Sequence, residues 1–160
     1  MARIAAGLGH QLSIRLYPTD GIRLRDSGQL GIAEIIRSEA HRSWAVNLEV
    51  PVAGPPDRRA ADMVLLGAAG MIHVEIERGL RDFQAQLRAA QLKRLALAER
   101  YGRQVRLLIA VPDTVAARQA VAPHSTIIQA SLPITSRAAW AAVRSGMALP
   151  GDALLWVRRR

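Results

Sequence analysis

Two short apolar runs followed by a long helical pattern constrain the fold of this 160-residue chain most strongly. The apolar runs are residues 62–68 and 71–78, and their spacing is that of a tight hairpin with an Ala-Gly turn. After Leu80 the chain has no Pro or Gly before Gly102, and apolar side chains recur at helical spacing. The helix face predicted to be apolar carries Leu80, Phe83, Leu87, Ala90, Leu97 and Tyr101. We therefore predict a strand, strand, helix unit that ends at Gly102.

The flanking segments alternate between the two-residue period of strands and the helical period. Helices are predicted near 27–41, 114–122 and 136–144, the last with Ser136 as its N-cap. Strands are predicted at 11–17, 44–52, 105–111, 126–132 and 153–157, with 105–111 apolar enough to be covered on both faces. This order predicts an α/β fold in which helices flank a central mixed β-sheet.

The length and the 50% hydrophobic content fit one main domain with a real core. We expect residues 1–25 to be a separate N-terminal segment, the remnant of a linker from an upstream module, and residues 26–160 to form the α/β domain. The absence of cysteine excludes disulfides, zinc–thiolate sites and cysteine nucleophiles. No apolar run approaches the roughly 20 residues of a membrane span, and no signal peptide is recognisable. A cytoplasmic location without membrane contact is the expectation.

The formal charge of +9 favours an anionic partner, and DNA is the expected one. The few aromatic residues are scattered, which disfavours binding of single strands by base stacking. The chain contains no GxGxxG, P-loop, HExxH or GxSxG motif, so nucleotide-cofactor, zinc-protease and serine-hydrolase functions lack support. A second copy of the chain is a further candidate partner.

An acidic cluster accompanies the strand, strand, helix unit. Glu75 and Glu77 are two residues apart on one strand, so they share a face with His73, and Asp62 begins the adjacent strand. Neighbouring carboxylates on a central strand repel each other, and a bound divalent cation would offset that repulsion. Strand register, which decides whether Asp62 joins them, stays open. His73 is interpreted as a satisfied core or rim histidine.

A competing interpretation makes the three acids ordinary strand-end charges that pair with Arg58, Arg59 or Arg78. On the helix, a helical wheel groups Lys93 with Asp82 and Gln86, whereas Gln84, Arg88 and Gln91 form a second stripe. Only one of these stripes can overlook the carboxylates. Sequence alone does not decide which.

The residues of this unit resemble the metal-binding core of PD-(D/E)XK nucleases: Asp62, then Glu75-Ile76-Glu77 after a hairpin, then a helix with Gln84, Arg88, Gln91 and Lys93. The resemblance implies a restriction-endonuclease-like fold in which Asp62, Glu75 and Glu77 bind magnesium. A lysine two residues after the first Glu would be usual, but Glu77 stands there and a carboxylate cannot stabilise a developing phosphorane charge.

The resemblance also assigns further roles. Lys93 becomes the candidate catalytic lysine because some family members carry it on the following helix. Gln84, Arg88, Arg58 and Arg59 become candidate substrate contacts, and either Glu34 or Glu39 is the candidate acid from the first helix.

More narrowly, the segments EVPV, RRAADMVL, VEIERGLRDFQAQLRAAQLKR and LLIAVPDT resemble the carboxy-terminal region of bacterial regulators with an amino-terminal helix-turn-helix, over roughly residues 10–157. Two functions follow from the two resemblances. One is magnesium-dependent hydrolysis of DNA phosphodiesters. The other is a catalytically inactive, nuclease-like DNA-binding or effector domain of a transcriptional regulator, which the missing lysine after Glu75 favours.

Overall fold

One five-stranded sheet organises the part of the chain that the computed structural model describes, residues 27–80 and 82–158. The elements in chain order are α1 Ser27–Glu39, β1 Ala45–Pro51, β2 Ala60–Gly67, β3 Gly70–Ile76, α2 Phe83–Tyr101, β4 Val105–Pro112, α3 Val115–Val121, a 3-10 turn Ala122–His124, α4 Ser125–Ser131, α5 Ser136–Ser145 and β5 Ala153–Val157. The predicted strand at 11–17 and the N-terminal segment 1–25 lie outside the described residues.

The sheet is mixed, as predicted. Its strand order is β1-β2-β3-β4-β5, so β3 lies in the centre. The β1–β2 and β2–β3 pairs are antiparallel, whereas β3–β4 and β4–β5 are parallel. The fold is therefore α/β with a central mixed sheet and flanking helices, as the order of the predicted elements indicates.

The hairpin between β2 and β3 fixes how the acidic residues can meet. Gly67 pairs with Gly70, so the turn is Ala68-Ala69, one position earlier than the Ala-Gly turn that the sequence suggests. Gly70 has a φ of 154°, which glycine tolerates without strain. Met63 pairs with Val74 at the end of this register. One further step places Asp62 opposite Glu75.

The sheet separates two apolar layers. Ile72, Val74 and Ile76 pack with residues of α1 and α5 in one core cluster. On the other face, Leu107 and Ile109 of β4 pack with α2 and residues near α4. Because side chains alternate along a strand, the odd-numbered residues of β3 lie on the face that α2 covers.

Helix α2 ends at the predicted Gly102, but it begins at Phe83, three residues after the predicted Leu80. Asp82 caps the N-terminus by accepting a hydrogen bond from Ala85 N, and Gly102 adopts a left-handed φ of 59° at the C-terminus. Tyr101 is 38% exposed, so its assignment to the apolar face is wrong. No described helix is long and apolar enough to cross a membrane.

Two predictions in the last third of the chain are wrong. Residues 125–131 form helix α4 instead of a strand, although Ile127 and Ile128 are β-branched; packing of these two side chains against the α2-side core overrides their strand propensity. The N-cap of α5 is Thr135, whose hydroxyl accepts from Ala138 N. Ser136 instead accepts a hydrogen bond from Trp156 N of β5.

Candidate functional site

The three predicted carboxylates are neighbours on the face of the sheet beneath α2. Asp62 lies opposite Glu75 when the β2–β3 register is continued by one step, and its Oδ2 accepts a hydrogen bond from Ile76 N at 2.8 Å. Glu77 follows β3 directly and shares the face of Glu75. We call Asp62, Glu75 and Glu77 the acidic row.

Glu75 is the centre of the row and binds two cationic or ionisable partners. Its Oε1 is 2.6 Å from His73 Nε2, and its Oε2 accepts a hydrogen bond from Lys93 Nζ at 2.7 Å. Glu75 is 6% exposed and His73 is fully buried. Lys93 therefore reaches from the helix into the middle of the acidic row, while His73 contacts Glu75 from two positions earlier in the same strand.

Glu77 is held by a second residue of α2. Its Oε2 accepts a hydrogen bond from Gln86 Nε2 at 2.7 Å, and the same amide nitrogen donates to Gly79 O at 3.0 Å. Gln86 and Lys93 are seven residues apart, so they lie on one side of the helix. The stripe that overlooks the carboxylates is thus the one that contains Lys93.

The other stripe faces away from the row. Gln84 and Arg88 are exposed, and within the described residues the structure brings neither side chain to the carboxylates. Their assignment as substrate contacts stays a prediction. Gln86, which the sequence places beside Lys93 without a role, is the residue that actually binds the row.

The electrostatics of the row reflect a shortage of cations. Burial raises the pKa of Asp62 to about 6, and the neighbouring Glu75 adds to the rise. Burial likewise raises the pKa of Glu77 to about 7, with further contributions from Glu75 and Asp62. For Glu75, burial opposes ionisation, but the hydrogen bond from His73 and the nearby Lys93 outweigh it and lower its pKa.

A fourth acid, Glu49, lies next to the row. Leu48 pairs with Met63 and Val50 with Ala61, which sets Glu49 of β1 opposite Asp62, and the charge of Glu49 contributes to the raised pKa of Asp62. Glu49 has a φ of 50°, the positive-φ exception among the described non-glycine residues. The sequence does not reveal this neighbour of Asp62, because its position depends on the register in which β1 pairs with β2.

The acids of the first helix lie elsewhere. Glu34 is exposed and pairs with Arg37 at 2.8 Å. Glu39 pairs with Arg144 of α5 at 2.9 Å. The structure therefore brings neither candidate from α1 to the acidic row, and Glu49 is the additional acid found there.

The arginines around β2 and β3 form none of the ion pairs that the structure gives to the acidic row. Arg59 is exposed and pairs with Asp57, the shortest N–O distance being 2.7 Å. Arg58 is exposed as well. The side chain of Arg78 lies against Gly28 of α1 and leaves no room for a Cβ there. The ion pairs of the row are thus made by Lys93 and His73, while substrate contact by Arg58 and Arg59 stays a prediction.

The donor atoms of the row suit a hard divalent cation such as magnesium. Asp62 Oδ1 and Glu77 Oε1 accept no hydrogen bond from the described residues, and the row carries surplus negative charge. Residues 27–80 and 82–158 contain no group of three or more His, Asp or Glu side chains that is already arranged around a metal position. Magnesium commonly uses only one or two protein carboxylates and keeps several waters, so the residues fit such an ion.

Comparisons with known proteins give a limited result. No protein-family model and no curated protein sequence matches the chain. A solved structure of EndoMS with double-stranded DNA is 14% identical with a TM-score of 0.39, and covers 72% of this chain. A repair endonuclease from Pyrococcus abyssi is 17% identical with a TM-score of 0.38, and covers 71%. The chain spans about half the length of each, 46%, and at these TM-scores neither likeness identifies what the chain does.

Proposed function

We propose that this chain is a nuclease-like domain that hydrolyses DNA phosphodiester bonds at the acidic row with the help of magnesium. The observation that carries the proposal is the 2.7 Å contact between Lys93 Nζ and Glu75 Oε2. Through this contact, Lys93 on α2 provides the ammonium group that is missing at the end of β3, where Glu77 stands in the usual lysine position. Carboxylates that can hold a metal ion, together with an ammonium group that can stabilise a developing negative charge, suit phosphoryl chemistry.

Each residue of the row has a distinct role in this proposal. Asp62 and Glu75 would hold the magnesium ion, which when bound polarises a phosphate oxygen and acidifies water. Glu77 shares the face of Glu75 and is held by Gln86, so it is the candidate third ligand or the base that orients the attacking water. Lys93 would stabilise the negative charge that develops on the phosphate.

DNA is the proposed substrate because the chain carries 22 basic against 13 acidic residues. Phosphate contacts by such a chain are favoured by the release of counterions. Arg58 and Arg59 are exposed immediately before β2, the strand that carries Asp62. We therefore propose these two arginines as contacts to the phosphate backbone.

A second function is DNA binding without turnover, as in the effector part of a transcriptional regulator. It is favoured by a specific observation: both oxygens of Glu75 already bond within the protein, to His73 and Lys93. A metal ion would have to share or displace these bonds. Glu77 in place of the strand lysine favours the same function.

Nicking of supercoiled plasmid in magnesium tests the first proposal. Wild-type protein should nick the plasmid, and Glu75→Gln and Lys93→Met should each lose roughly 10²-fold or more in rate. Glu34→Gln is the matched control, because Glu34 is an exposed acid that pairs with Arg37 away from the row. Equal nicking by Glu75→Gln and wild type would reject the acidic row as the site.

Fluorescence anisotropy with labelled duplex DNA separates the two functions. Salt-sensitive binding by wild type, together with no nicking in magnesium or manganese, would establish the second function and reject the first. Calorimetry that detects no magnesium binding would also support the second function. Circular dichroism of each variant ensures that lost activity does not reflect unfolding.

A further inference from the structure

The outer side of α2 carries an apolar pair that the fold leaves uncovered. Leu92 is 50% exposed and Leu95 is 57% exposed. On a helix of 3.6 residues per turn they share an arc of about 60° with two further residues. These are Arg88 and Glu99, both exposed. We call Arg88, Leu92, Leu95 and Glu99 the outer stripe. The stripe lies opposite the buried side of the helix, which carries Phe83, Leu87, Ala90 and Leu97.

The order of residues in the outer stripe is complementary to itself when the helix is reversed. In an antiparallel pair with a two-fold axis midway between Leu92 and Leu95, Leu92 meets the partner's Leu95. The same axis brings Arg88 of each copy next to Glu99 of the other, so one such pair forms at each end of the contact. A second copy of this chain therefore satisfies both the apolar centre and the charged ends.

The two charged residues of the outer stripe form no ion pair with each other within one chain. Arg88 and Glu99 are eleven residues apart, about 16 Å along the helix, which is too far for an ion pair. Neither residue forms an ion pair with another described residue. Their opposite signs at the two ends of an apolar stripe argue for a second copy over an unrelated protein, whose charges would have no reason to match this order.

We propose that the outer stripe of α2 is a homodimer interface formed by an antiparallel helix pair. Ala85 and Ala89 are exposed and border the stripe on one side, and such small side chains let two helices approach closely. A contact of this length is small against the roughly 1,200 Å² or more of a standard interface, so the dimer is weak, with a Kd in the micromolar range.

The dimer is independent of the proposed nuclease site. Lys93 and Gln86 contact the carboxylates from the other side of α2, so the outer stripe can be changed without touching the acidic row. In this proposal Arg88 contacts a second copy, which is an alternative to the substrate contact predicted from the sequence. A failure of dimerisation would leave nicking unaffected, and a failure of nicking would leave the dimer mass unaffected.

Sedimentation equilibrium of the full chain, from about 1 to about 100 µM, is the first test. The mass should rise from that of a 17.4 kDa monomer to twice that value, and Leu92→Glu should keep the chain monomeric throughout. Met147→Glu is the matched control, since Met147 is 65% exposed after α5 and outside the stripe. A wild-type chain that stays monomeric, or a Leu92→Glu dimer, would overturn the proposal.

A charge swap tests the two-fold pairing itself. Arg88→Glu places two acids against each other, and Glu99→Arg places two arginines against each other, so each variant alone should dimerise several-fold more weakly. Mixing the two variants restores opposite charges at both ends, and the mixture should form a heterodimer more tightly than either variant forms a homodimer. A mixture that behaves like the sum of its components would contradict this pairing.

Discussion

Two groups of carboxylates in this molecule have opposite electrostatic behaviour. In the loop before β2, a side-chain hydrogen bond from Arg59 lowers the pKa of Asp57 to about 2. Beneath α2, burial raises the pKa of Asp62 to about 6 and that of Glu77 to about 7. The loop acid has its own arginine, whereas the acidic row shares Lys93 as its ammonium partner.

The two groups of carboxylates also differ in what they contribute to stability. An exposed pair such as Asp57 and Arg59 is screened by water and contributes little either way. Buried acids that raise one another's pKa oppose folding at neutral pH, and such arrangements concentrate at functional sites. A cation bound at the acidic row would relieve this repulsion.

The largest expected change in stability comes from Lys93→Met. Removal of the ammonium leaves Glu75 with His73 alone, so the free energy of unfolding in urea at pH 8 should fall by about 3 kcal/mol relative to wild type. The deficit should shrink at pH 5, because the row carboxyls take up protons and lose their repulsion. Arg37→Met removes an exposed partner of Glu34, and as the control it should change stability by less than about 0.5 kcal/mol. Equal losses at pH 5 and pH 8 would contradict the electrostatic explanation.

A smaller loss of stability is expected for His73→Leu. This fully buried histidine bonds Glu75 Oε1, and the bond helps to hold the pKa of Glu75 down. Loss of the bond should destabilise the fold by about 2 kcal/mol. It should also raise the pKa of Glu75. His73→Gln can still donate to Oε1 and should recover part of both changes. Carboxyl NMR titration of Glu75 measures the pKa, and an unaltered midpoint in His73→Leu would show that the bond does not control ionisation.

Glu77→Gln should stabilise the protein at high pH. The folded pKa of Glu77 is raised to about 7 from its ordinary 4.5, so the native state holds more protons between these values. The stabilisation that protonation provides is therefore present below pH 4.5 and is lost as pH rises through about 7. At pH 8 the variant should be more stable by about 1 kcal/mol, with a flatter pH dependence. A wild-type curve that is already flat from pH 5 to pH 8 would count against the raised pKa.

The smallest effect is expected for Arg59→Ala. The pair with Asp57 is exposed, so the thermal unfolding midpoint at pH 7 should not change measurably. The pKa of Asp57 should return from about 2 towards its ordinary 3.8, which carboxyl NMR detects. A clear loss of thermal stability would mean that this loop is coupled to the fold more tightly than its exposure indicates.

The sequence predicts elements well where local signals set their limits. Strand β5 spans the predicted residues 153–157, and α2 ends at Gly102 because a left-handed cap is needed there. Helix α4 is predicted as a strand because Ile127 and Ile128 have high strand propensity. In the structure these two side chains pack from a helix against the core cluster beneath α2.

The candidate site was predictable in part. Helical spacing is enough to group Lys93 with Gln86, but the rotation of α2 over the sheet depends on the burial of Phe83 and Leu87, which is a tertiary property. The position of Glu49 opposite Asp62 could not be predicted from sequence patterns, because it depends on the register in which β1 pairs with β2.

Carboxyl NMR titration of the acidic row with and without magnesium tests whether the row binds a cation. We expect Glu77 to titrate at about 7 without the ion, and we expect magnesium to lower the pKa of both Glu77 and Asp62. Asp57 provides an internal control that magnesium should not move. Titration of both row carboxyls at their ordinary pKa values, or a magnesium response no larger than that of Asp57, would contradict a cation site at the acidic row.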